Sequence, residues 1–172
     1  FFIFFTVLFS AQNQRFTYEY KFVKDSTEKD KITSEIMDLD ITAKGSKFYS
    51  SNSKIADSII QNRGKTNPGN YDFSGINFGK VDEVVEKIYP DYKVYLFQRL
   101  ERDTYKVDDY SKIIWKISSD KEKIGNWETQ KATTKLFGRS WHAWFATSLP
   151  FHEGPYKFNG LLGLIVNISY DT

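Results

Sequence analysis

Much of this chain is a succession of short runs in which apolar and polar side chains alternate. In QRFTYEYKFVK, residues 14–24, four aromatic side chains occupy every second position, with Thr17, Glu19 and Lys21 between them. A period of two is typical of a half-buried β-strand, because successive side chains point to opposite faces of the sheet. The chain is therefore expected to enter its fold as a strand.

The same pattern recurs along the chain. Runs rich in β-branched and aromatic residues predict strands at 36–43, 47–50, 80–88, 92–100, 113–118, 128–136, 140–147 and 164–169. Turn-length gaps separate most of them. The one helix-like segment is 51–63, where Asn52 or Ser53 can cap the start and Gly64 can end it. The sequence thus predicts a mainly β fold, a curled antiparallel sheet with one short helix near 52–63.

The first eleven residues differ from the rest. FFIFFTVLF is apolar except for Thr6, and small residues follow at Ser10 and Ala11. Nine residues are too few to span a bilayer as a helix, but they fit the apolar core of a secretory signal peptide. We interpret 1–11 as a signal-peptide remnant and 12–172 as a single β domain. Because the last strand ends close to Thr172, we also expect the domain to be truncated at its C-terminus.

Composition excludes several classes of function. The 172 residues include 24 Lys+Arg and 22 Asp+Glu, and these charges are interleaved, which argues against a nucleic-acid partner. The sequence has no cysteine, so disulfides, zinc–thiolate centres and cysteine nucleophiles are excluded. Nothing in the sequence calls for a cofactor.

The last third of the chain carries a recognisable set of short motifs. In chain order they are Trp115-Lys116-Ile117, Ile124-Gly125, Gln130-Lys131-Ala132-Thr133, Gly138-Arg139-Ser140-Trp141, Ala143-Trp144-Phe145, Leu149-Pro150, Gly154-Pro155-Tyr156-Lys157-Phe158 and Gly160-Leu161-Leu162-Gly163-Leu164-Ile165. This set resembles the GLPGLI family of secreted bacterial proteins. Two positions depart from the family pattern: Thr129 stands where members commonly have cysteine, and Leu162 where the name has proline.

The resemblance implies secretion into the envelope of Gram-negative bacteria, in the periplasm or associated with the outer membrane. It also implies an antiparallel sheet curled into an open half-barrel or bowl. It implies no established activity, so function has to be argued from the residues themselves.

The densest group of large side chains is RSWHAWF, residues 139–145. On a strand, Arg139, Trp141 and Phe145 share one face and Trp144 lies on the other. Either the strand is buried on both sides, or one face lines a concave pocket. Aromatic walls with a guanidinium suit a ligand that has an apolar body and a carboxylate, phosphate or sugar. With Tyr156, these four residues form the predicted ligand-binding set, whose Arg139 and Trp141 face is either open or covered by the helix.

Catalytic and metal-binding patterns are weak. His142 and His152, with Glu153 or Asp171, are candidate ligands of one metal ion, but the sequence has no HExxH motif to support such a site. No nucleophile elbow surrounds any serine. Asp38 and Asp40 share a strand face, an arrangement more typical of the solvated side of a strand than of an acid–base pair. The sequence predicts no catalytic residue and no metal ligand.

GPYKFNGLLGLI, residues 154–165, is predicted to be structural. Gly154 and Pro155 set a turn, and Gly160 and Gly163 let the backbone bend or approach another strand closely. The following residues are expected to fill the core: Leu161, Leu162, Leu164 and Ile165.

Three functional hypotheses follow. The first is a non-catalytic envelope protein that binds an apolar or amphiphilic ligand, or a partner peptide, in a concave aromatic-lined sheet. The second is a structural or assembly accessory of an outer-membrane system. The third, a metal- or carboxylate-dependent hydrolase, has the least support. Possible partners are thus an envelope protein or an amphiphile, with no nucleic acid and no transmembrane span.

Overall fold

The fold is known from a computed structural model that describes residues 13–23, 27, 30–69, 72–100 and 103–171. The signal segment proposed at 1–11 lies outside the described residues. Within them the chain is mainly β, with two antiparallel sheets and one helix, which confirms the predicted fold class. None of the described helical structure is long and apolar enough to cross a membrane.

The first sheet contains six strands that follow one another in chain order. They are β1 (Gln14–Val23), β2 (Ile32–Thr42), β3 (Gly45–Ser50), β4 (Val84–Ile88), β5 (Lys93–Leu100) and β6 (Asp103–Asp109). The aromatic alternation of β1 explains its role: Phe16 pairs with Leu39 and Tyr18 with Met37, and these four side chains lie on one face. That face carries the first hydrophobic core cluster.

The second sheet has four strands in the order β10, β9, β8, β7. Their bounds are β7 (Lys116–Ile124), β8 (Trp127–Leu136), β9 (Arg139–Ala146) and β10 (Leu164–Tyr170). Its inner residues form a second core cluster around Ala143, Phe145 and Ile165. The hydroxyl of Tyr18 on β1 donates to the carbonyl of Ile165 on β10 at 2.8 Å, which ties the two sheets together.

The helix α1 spans Ser51–Thr66 and packs against β2 and β3. Its N-cap is Ser50, whose hydroxyl accepts from the backbone N–H of Ser53 at 3.3 Å. This corrects the sequence expectation, which placed the cap at Asn52 or Ser53. Gly64 does not end the helix either. It lies in the last turn, with open space around it, and the helix ends where the N–H of Asn67 bonds the carbonyl of Arg63.

The connection between β9 and β10, residues 147–163, fills the space between the sheets; we call it the β9–β10 loop. Leu149 and Phe151 pack against the first core cluster, Phe158 and Leu161 belong to the second, and Tyr156 contacts both. The loop is held by its own backbone bonds, among them Gly160 N–H to the carbonyl of His152 at 2.9 Å. Side chains of this loop therefore occupy much of the space between the two sheets.

Four further sequence expectations need correction. Strand β6 was not anticipated, and β7 begins at Lys116, because Ile113 and Trp115 pack into the second core cluster from an irregular segment. The strand expected at 80–88 begins only at Val84. Leu162 was expected in the core, but its side chain is 69% exposed, whereas its three apolar neighbours in the motif are buried.

Candidate functional site

Two tyrosines from distant parts of the chain lie beside one carboxylate, and a third tyrosine lies next to them. Tyr20 lies on the inner face of β1, Tyr156 in the β9–β10 loop and Tyr170 at the end of β10; Glu83 lies just before β4. Together with Arg139 at the start of β9, these residues are called the tyrosine site below. The inner face of β1 leads to it, because Phe16 and Tyr18 pack on the first core cluster and Tyr20 continues the same face where it is 44% exposed.

The carboxyl group of Glu83 is the electrostatic centre of this site. It is half-buried and accepts a hydrogen bond from the hydroxyl of Tyr156 at 3.3 Å. Burial raises the pKa of Glu83, while Lys157 and the Tyr156 hydrogen bond oppose that rise. The pKa of Tyr156 is raised too, chiefly by burial and then by the charge of Glu83. Titratable groups with displaced pKa values are more frequent at functional sites than elsewhere.

Tyr20 senses the same charges. Burial raises the pKa of its hydroxyl, the charge of Glu83 adds to the rise, and the guanidinium of Arg139 lowers it. These electrostatic effects place one negative and one positive group around a half-exposed phenol. The site therefore offers both an acceptor and a donor of opposite charge within an aromatic surface.

Arg139 and Tyr170 form the outer rim. The guanidinium carbon of Arg139 lies 4.3 Å from the centre of the Tyr170 ring, a cation–π contact. Tyr170 in turn meets Trp141 edge-on, with ring centroids 4.9 Å apart. Trp141 also contacts Phe158 of the β9–β10 loop at 4.7 Å. The rim is thus supported from beneath by aromatic side chains of the second core.

The predicted ligand-binding residues divide into three groups. Arg139, Trp141 and Tyr156 lie at or beside the tyrosine site. Trp144 lies on the opposite face of β9, with the ammonium of Lys131 5.8 Å from its ring centre. Phe145 is 2% exposed and belongs to the second core cluster, so its ring is in contact with protein rather than with the surface.

The face that carries Trp141 is covered, but not by the helix. Phe158 and Tyr170 lie against Trp141, whereas α1 packs on β2 and β3. The sequence offered two outcomes for this face, an open cavity or a helical cover. The structure has a third, in which the β9–β10 loop fills the deep part and leaves only the rim accessible.

Sequence reasoning missed Tyr20, Glu83 and Tyr170. Tyr20 was recognised as one of four alternating aromatics, but nothing marked it as different from its buried neighbours. Glu83 sits in an unremarkable Val-Asp-Glu-Val context, and Tyr170 follows the last predicted strand. The only available signal was the position of Tyr20 near the end of a run whose earlier members had to be buried.

A second group of ionisable residues is fully buried. Lys87 on β4 and Glu153 in the loop form an ion pair, with Nζ and Oε2 2.6 Å apart and side chains 0% and 1% exposed. The ammonium of Lys87 donates to the carbonyls of Gly154 and Phe158 at 2.8 and 3.0 Å. The hydroxyl of Tyr89 donates to Oε1 of Glu153 at 2.6 Å. We call these three side chains the buried network.

The buried network has the signature of a structural element. Burial lowers the pKa of Lys87, while attraction to Glu153 opposes the shift. The acceptors of the Lys87 ammonium are Glu153, Gly154 and Phe158, which all belong to the β9–β10 loop, so its charge anchors that loop to β4. A ligand has no route to groups this deeply enclosed.

The remaining candidates are engaged in local contacts. Arg15 clamps Asp40 with two hydrogen bonds, from Nε at 2.6 Å and Nη2 at 2.9 Å, and Thr17 donates to Asp38. Nε2 of His142 lies 2.9 Å from Oδ2 of Asp171. Among the described residues there is no group of three or more His, Cys, Asp or Glu side chains placed to hold a metal ion.

The chain matches no protein-family model and no curated protein. It is similar in structure to PNGF-II, solved in two crystal forms. Against the form in space group C2 the TM-score is 0.61 at 18% identity, covering 93% of this chain and 25% of that one. Against the form in space group P21 the values are 0.62, 19%, 93% and 26%. Identity this low shows a shared fold alone, and the chain spans about a quarter of the length of PNGF-II.

Proposed function

We propose that this chain is a non-catalytic binding module of the bacterial cell envelope, which holds an amphiphilic ligand at the tyrosine site. The observation that carries the proposal is the convergence of Tyr20 and Tyr156 on the half-buried Glu83, with Tyr170 and Arg139 at the rim. These groups come from five separate segments of the chain. Partly exposed rings with a few converging polar groups are the usual composition of a small-molecule site.

The chemistry of the site favours a ligand with an apolar body and an anionic head. The guanidinium of Arg139 is the exposed cation of the site, whereas the ammonium of Lys157 is already paired with Asp109 at 2.7 Å. The rings of Tyr20 and Tyr170, 44% and 40% exposed, supply apolar surface beside it. Arginine pairs with carboxylates, sulfonates and phosphates through parallel hydrogen bonds.

The proposed location rests on the sequence. The apolar stretch 1–9 with its small following residues supports export, and the resemblance of 115–165 to the GLPGLI family supports the envelope. Fusing residues 1–12, behind a methionine and a basic segment, to a reporter enzyme active only outside the cytoplasm tests the export signal. Activity that is lost when Phe4 and Phe5 are replaced by aspartate supports export; activity independent of that change contradicts it.

Binding can be tested with a defined amphiphile. Decanesulfonate below its micellar concentration has a ten-carbon tail and a permanently anionic head, and decyltrimethylammonium is its cationic counterpart. We expect the first to bind, and an Arg139→Ala change to weaken it about tenfold, since hydrogen bonds to charged groups contribute about 1.5–3 kcal/mol. Isothermal titration calorimetry measures both affinities.

The matched control is Tyr110→Ala. Tyr110 is 84% exposed and lies outside the site, so its removal should leave the affinity unchanged, whereas Tyr170→Ala should reduce it. The proposal fails if decanesulfonate does not bind, if decyltrimethylammonium binds equally well, or if both tyrosine variants behave alike.

The raised pKa of Glu83 adds a pH signature. Above that pKa the carboxylate repels an anionic head group, and below it the neutral acid does not. Affinity for decanesulfonate should therefore increase as the pH falls through the pKa of Glu83, which lies above the ordinary 4.5. Glu83→Gln should remove the dependence and keep the affinity high at neutral pH. A wild-type and a Gln variant with parallel pH profiles would exclude Glu83 from the site.

A second candidate, a structural or assembly accessory of the envelope, is favoured by one observation. The β9–β10 loop occupies the deep part of the fold, with Phe158 and Leu161 each 2% exposed, so the space available to a ligand is limited to the rim. A stable partner that co-purifies with the mature protein supports this alternative. A monomer isolated with an amphiphile bound contradicts it.

A further inference from the structure

The two sheets end in edge strands of different character. β6 is the last strand of the first sheet and β7 the last of the second, and each pairs on one side only within the described part of the chain. An edge strand has a row of backbone N–H and C=O groups available to another chain. Proteins usually protect such edges with charges, bulges or short strands, so the state of each edge indicates whether pairing is prevented or allowed.

The β7 edge is protected. Its pairing with β8 shifts register between Ile117 and Lys121, and Gln130 of β8 bonds the carbonyl of Ser118 inside the irregular stretch. From Ser118 to Lys123 the strand has only polar and charged side chains. A bulge combined with lysines is a common defence against edge-to-edge association.

The β6 edge has no bulge, although it carries one lysine and three aspartates. All seven residues pair with β5 in continuous register, from Leu100–Asp103 to Val94–Asp109. Tyr105 and Val107 are 51% and 54% exposed, on the same face as Leu96, which packs against the first core cluster. A strand added here would extend an apolar surface that already exists.

The one lysine of β6 does not guard the edge. Nζ of Lys106 lies 3.7 Å from the ring centre of Tyr95 on the neighbouring strand, so the side chain is folded back over its own sheet. The charge of Lys106 is therefore engaged in a cation–π contact with Tyr95. The edge backbone beside Lys106 therefore remains accessible.

The carboxyl end of β6 adds a charge preference. A cavity of about 360 Å³ opens there, with three carboxylates, one lysine and two tyrosines among its lining residues: Asp91, Asp108, Asp109, Lys93, Tyr95 and Tyr110. Asp108 is exposed and its hydrogen-bond partner is the hydroxyl of Tyr110 at 3.0 Å. Asp91 faces Lys93 at 4.0 Å, Asp109 is paired with Lys157, and Lys106 lies over the Tyr95 ring. The exposed carboxylate of Asp108 and the exposed ring of Tyr110 therefore remain to complement a lysine or arginine side chain, through charge and through the ring face.

We propose that β6 accepts an extended segment of another protein as an added strand, with a basic side chain of that segment entering the cavity beside Asp108. Strand addition to a free sheet edge is a recurrent mode of peptide recognition, in which backbone bonds give affinity and side-chain pockets give specificity. The surface is distinct from the tyrosine site.

A second copy of this chain is a poor occupant. Antiparallel pairing of two β6 strands brings Asp103 of one copy towards Asp108 and Asp109 of the other, and parallel pairing brings each carboxylate towards its own equivalent. Like charges opposite each other in a sheet are destabilising. The partner is therefore a different protein with a basic extended segment.

Three synthetic peptides test the proposal on the full chain. The first is an eight-residue peptide that alternates threonine with valine and ends in lysine; the second replaces that lysine by glutamate; the third has proline at its centre. We expect fluorescence anisotropy to show binding of the first, binding at least about tenfold weaker for the second, and none for the third, because proline cannot donate a ladder hydrogen bond. Hydrogen exchange should slow at β6 and not at β7.

Paired variants locate the surface. Val107→Lys and Asp108→Lys on β6 should each weaken the lysine peptide at least about tenfold, whereas the equally placed Ile117→Lys and Asp120→Lys on β7 should not. The side chains of Val107 and Ile117 are 54% and 50% exposed, so folding should tolerate both changes, which circular dichroism checks.

Four outcomes overturn the proposal. They are binding by none of the peptides, equal binding of the lysine and glutamate peptides, equal loss in the β6 and β7 variants, and protection from exchange at β7. Sedimentation velocity adds a fifth. Self-association that Val107→Lys abolishes would identify a second copy as the occupant instead.

Discussion

Two clusters of charged side chains, each with a tyrosine, are attached to the first sheet. They differ in how far their charges are exposed to water. The buried network joins Lys87, Glu153 and Tyr89 in the core, with both ions almost completely enclosed. The outer-face cluster joins Arg15 and Asp40 with Tyr49 and Lys54, and the Arg15 side chain is 52% exposed. Water competes for every charge in the second cluster and for none in the first.

The difference teaches which contacts fix the fold. In water an ion pair contributes little, because solvation of the separate ions is nearly as favourable. In the core the ions have lost their hydration, so each depends on the partner that replaces it. The buried network should therefore determine where the β9–β10 loop lies, while the outer-face cluster should mainly adjust stability with pH.

The largest effect should come from Glu153→Ala. This change leaves the Lys87 ammonium buried without a counter-ion, and breaking such a pair typically costs about 3–5 kcal/mol of the free energy of unfolding. Urea denaturation followed by circular dichroism measures it. The contrast between the two clusters collapses if the loss is below about 1 kcal/mol, the range of a surface pair.

The second prediction concerns another anchor of the same loop. At Gly163 a Cβ would lie 2.7 Å from the carbonyl carbon of Ala146 and still closer to its oxygen, whereas at Gly160 nothing lies within 4 Å. We expect Gly163→Val to destabilise by about 3 kcal/mol or more, as overpacking against backbone does. Gly160→Val, at φ +90°, should cost only the backbone strain of about 1–3 kcal/mol.

Thermal unfolding of the two glycine variants gives this comparison directly. The sequence alone led to the same expectation for both positions, namely damage to folding. A Gly163→Val protein that is as stable as the Gly160→Val protein, and that has lost only decanesulfonate binding, would mean that the motif belongs to the binding site.

Removal of one hydroxyl from the buried network should have a smaller effect. Tyr89→Phe keeps the ring against Tyr92, 4.8 Å away, and deletes the hydroxyl that bonds Oε1 of Glu153 and interacts with the Tyr92 hydroxyl. An acceptor left without its partner costs about 1–3 kcal/mol. The matched control is Tyr110→Phe, which deletes a hydroxyl bonded to the exposed Asp108 and should change the unfolding free energy by less than about 0.5 kcal/mol.

The smallest effect should be that of Asp40→Asn, about 1 kcal/mol or less because its partner Arg15 is half-exposed. The pKa of Asp40 is lowered from 3.8 to about 2, chiefly by the Arg15 hydrogen bond, with the Tyr49 bond adding to the lowering and burial opposing it. A folded-state pKa below the unfolded value stabilises above pH 3.8, and this contribution is lost as the pH falls through about 2.

Urea unfolding of the wild type and of Asp40→Asn at pH 6 and pH 2 measures that dependence. The difference between the two proteins should be larger at pH 6 and shrink at pH 2. A difference that stays constant with pH would show that Asp40 acts through its shape and not through its charge.

The sequence foretold the β architecture well where one face of a strand is buried. Alternation in residues 14–23 is dictated by the pleat, and β1 occurs where it was expected. It failed for β6, because DTYKVDD has six exposed residues of seven and thus no buried face to impose a pattern. Edge strands of this kind are held by backbone pairing, which leaves no pattern in the side-chain sequence.

The candidate site was foretold only in part. Arg139, Trp141 and Tyr156 were found because they stand in a dense aromatic segment, but Glu83 and Tyr20 become neighbours of that segment only after two sheets have closed around the β9–β10 loop. Trp144 and Phe145 show the converse. They belong to the same dense aromatic segment, but Trp144 lies on the opposite face of β9 and Phe145 lies in the core.

The sequence by itself determined most of the strands, the turn glycines of the 154–165 motif and the absence of cysteine chemistry, since each follows from residue type and local period. The tertiary structure decided that Glu153 meets Lys87, that the β9–β10 loop fills the interior and that Tyr20 and Tyr156 lie beside Glu83. The physical reason is range. Backbone preference acts over a few residues, whereas burial and charge pairing act between segments that only the closed chain brings together.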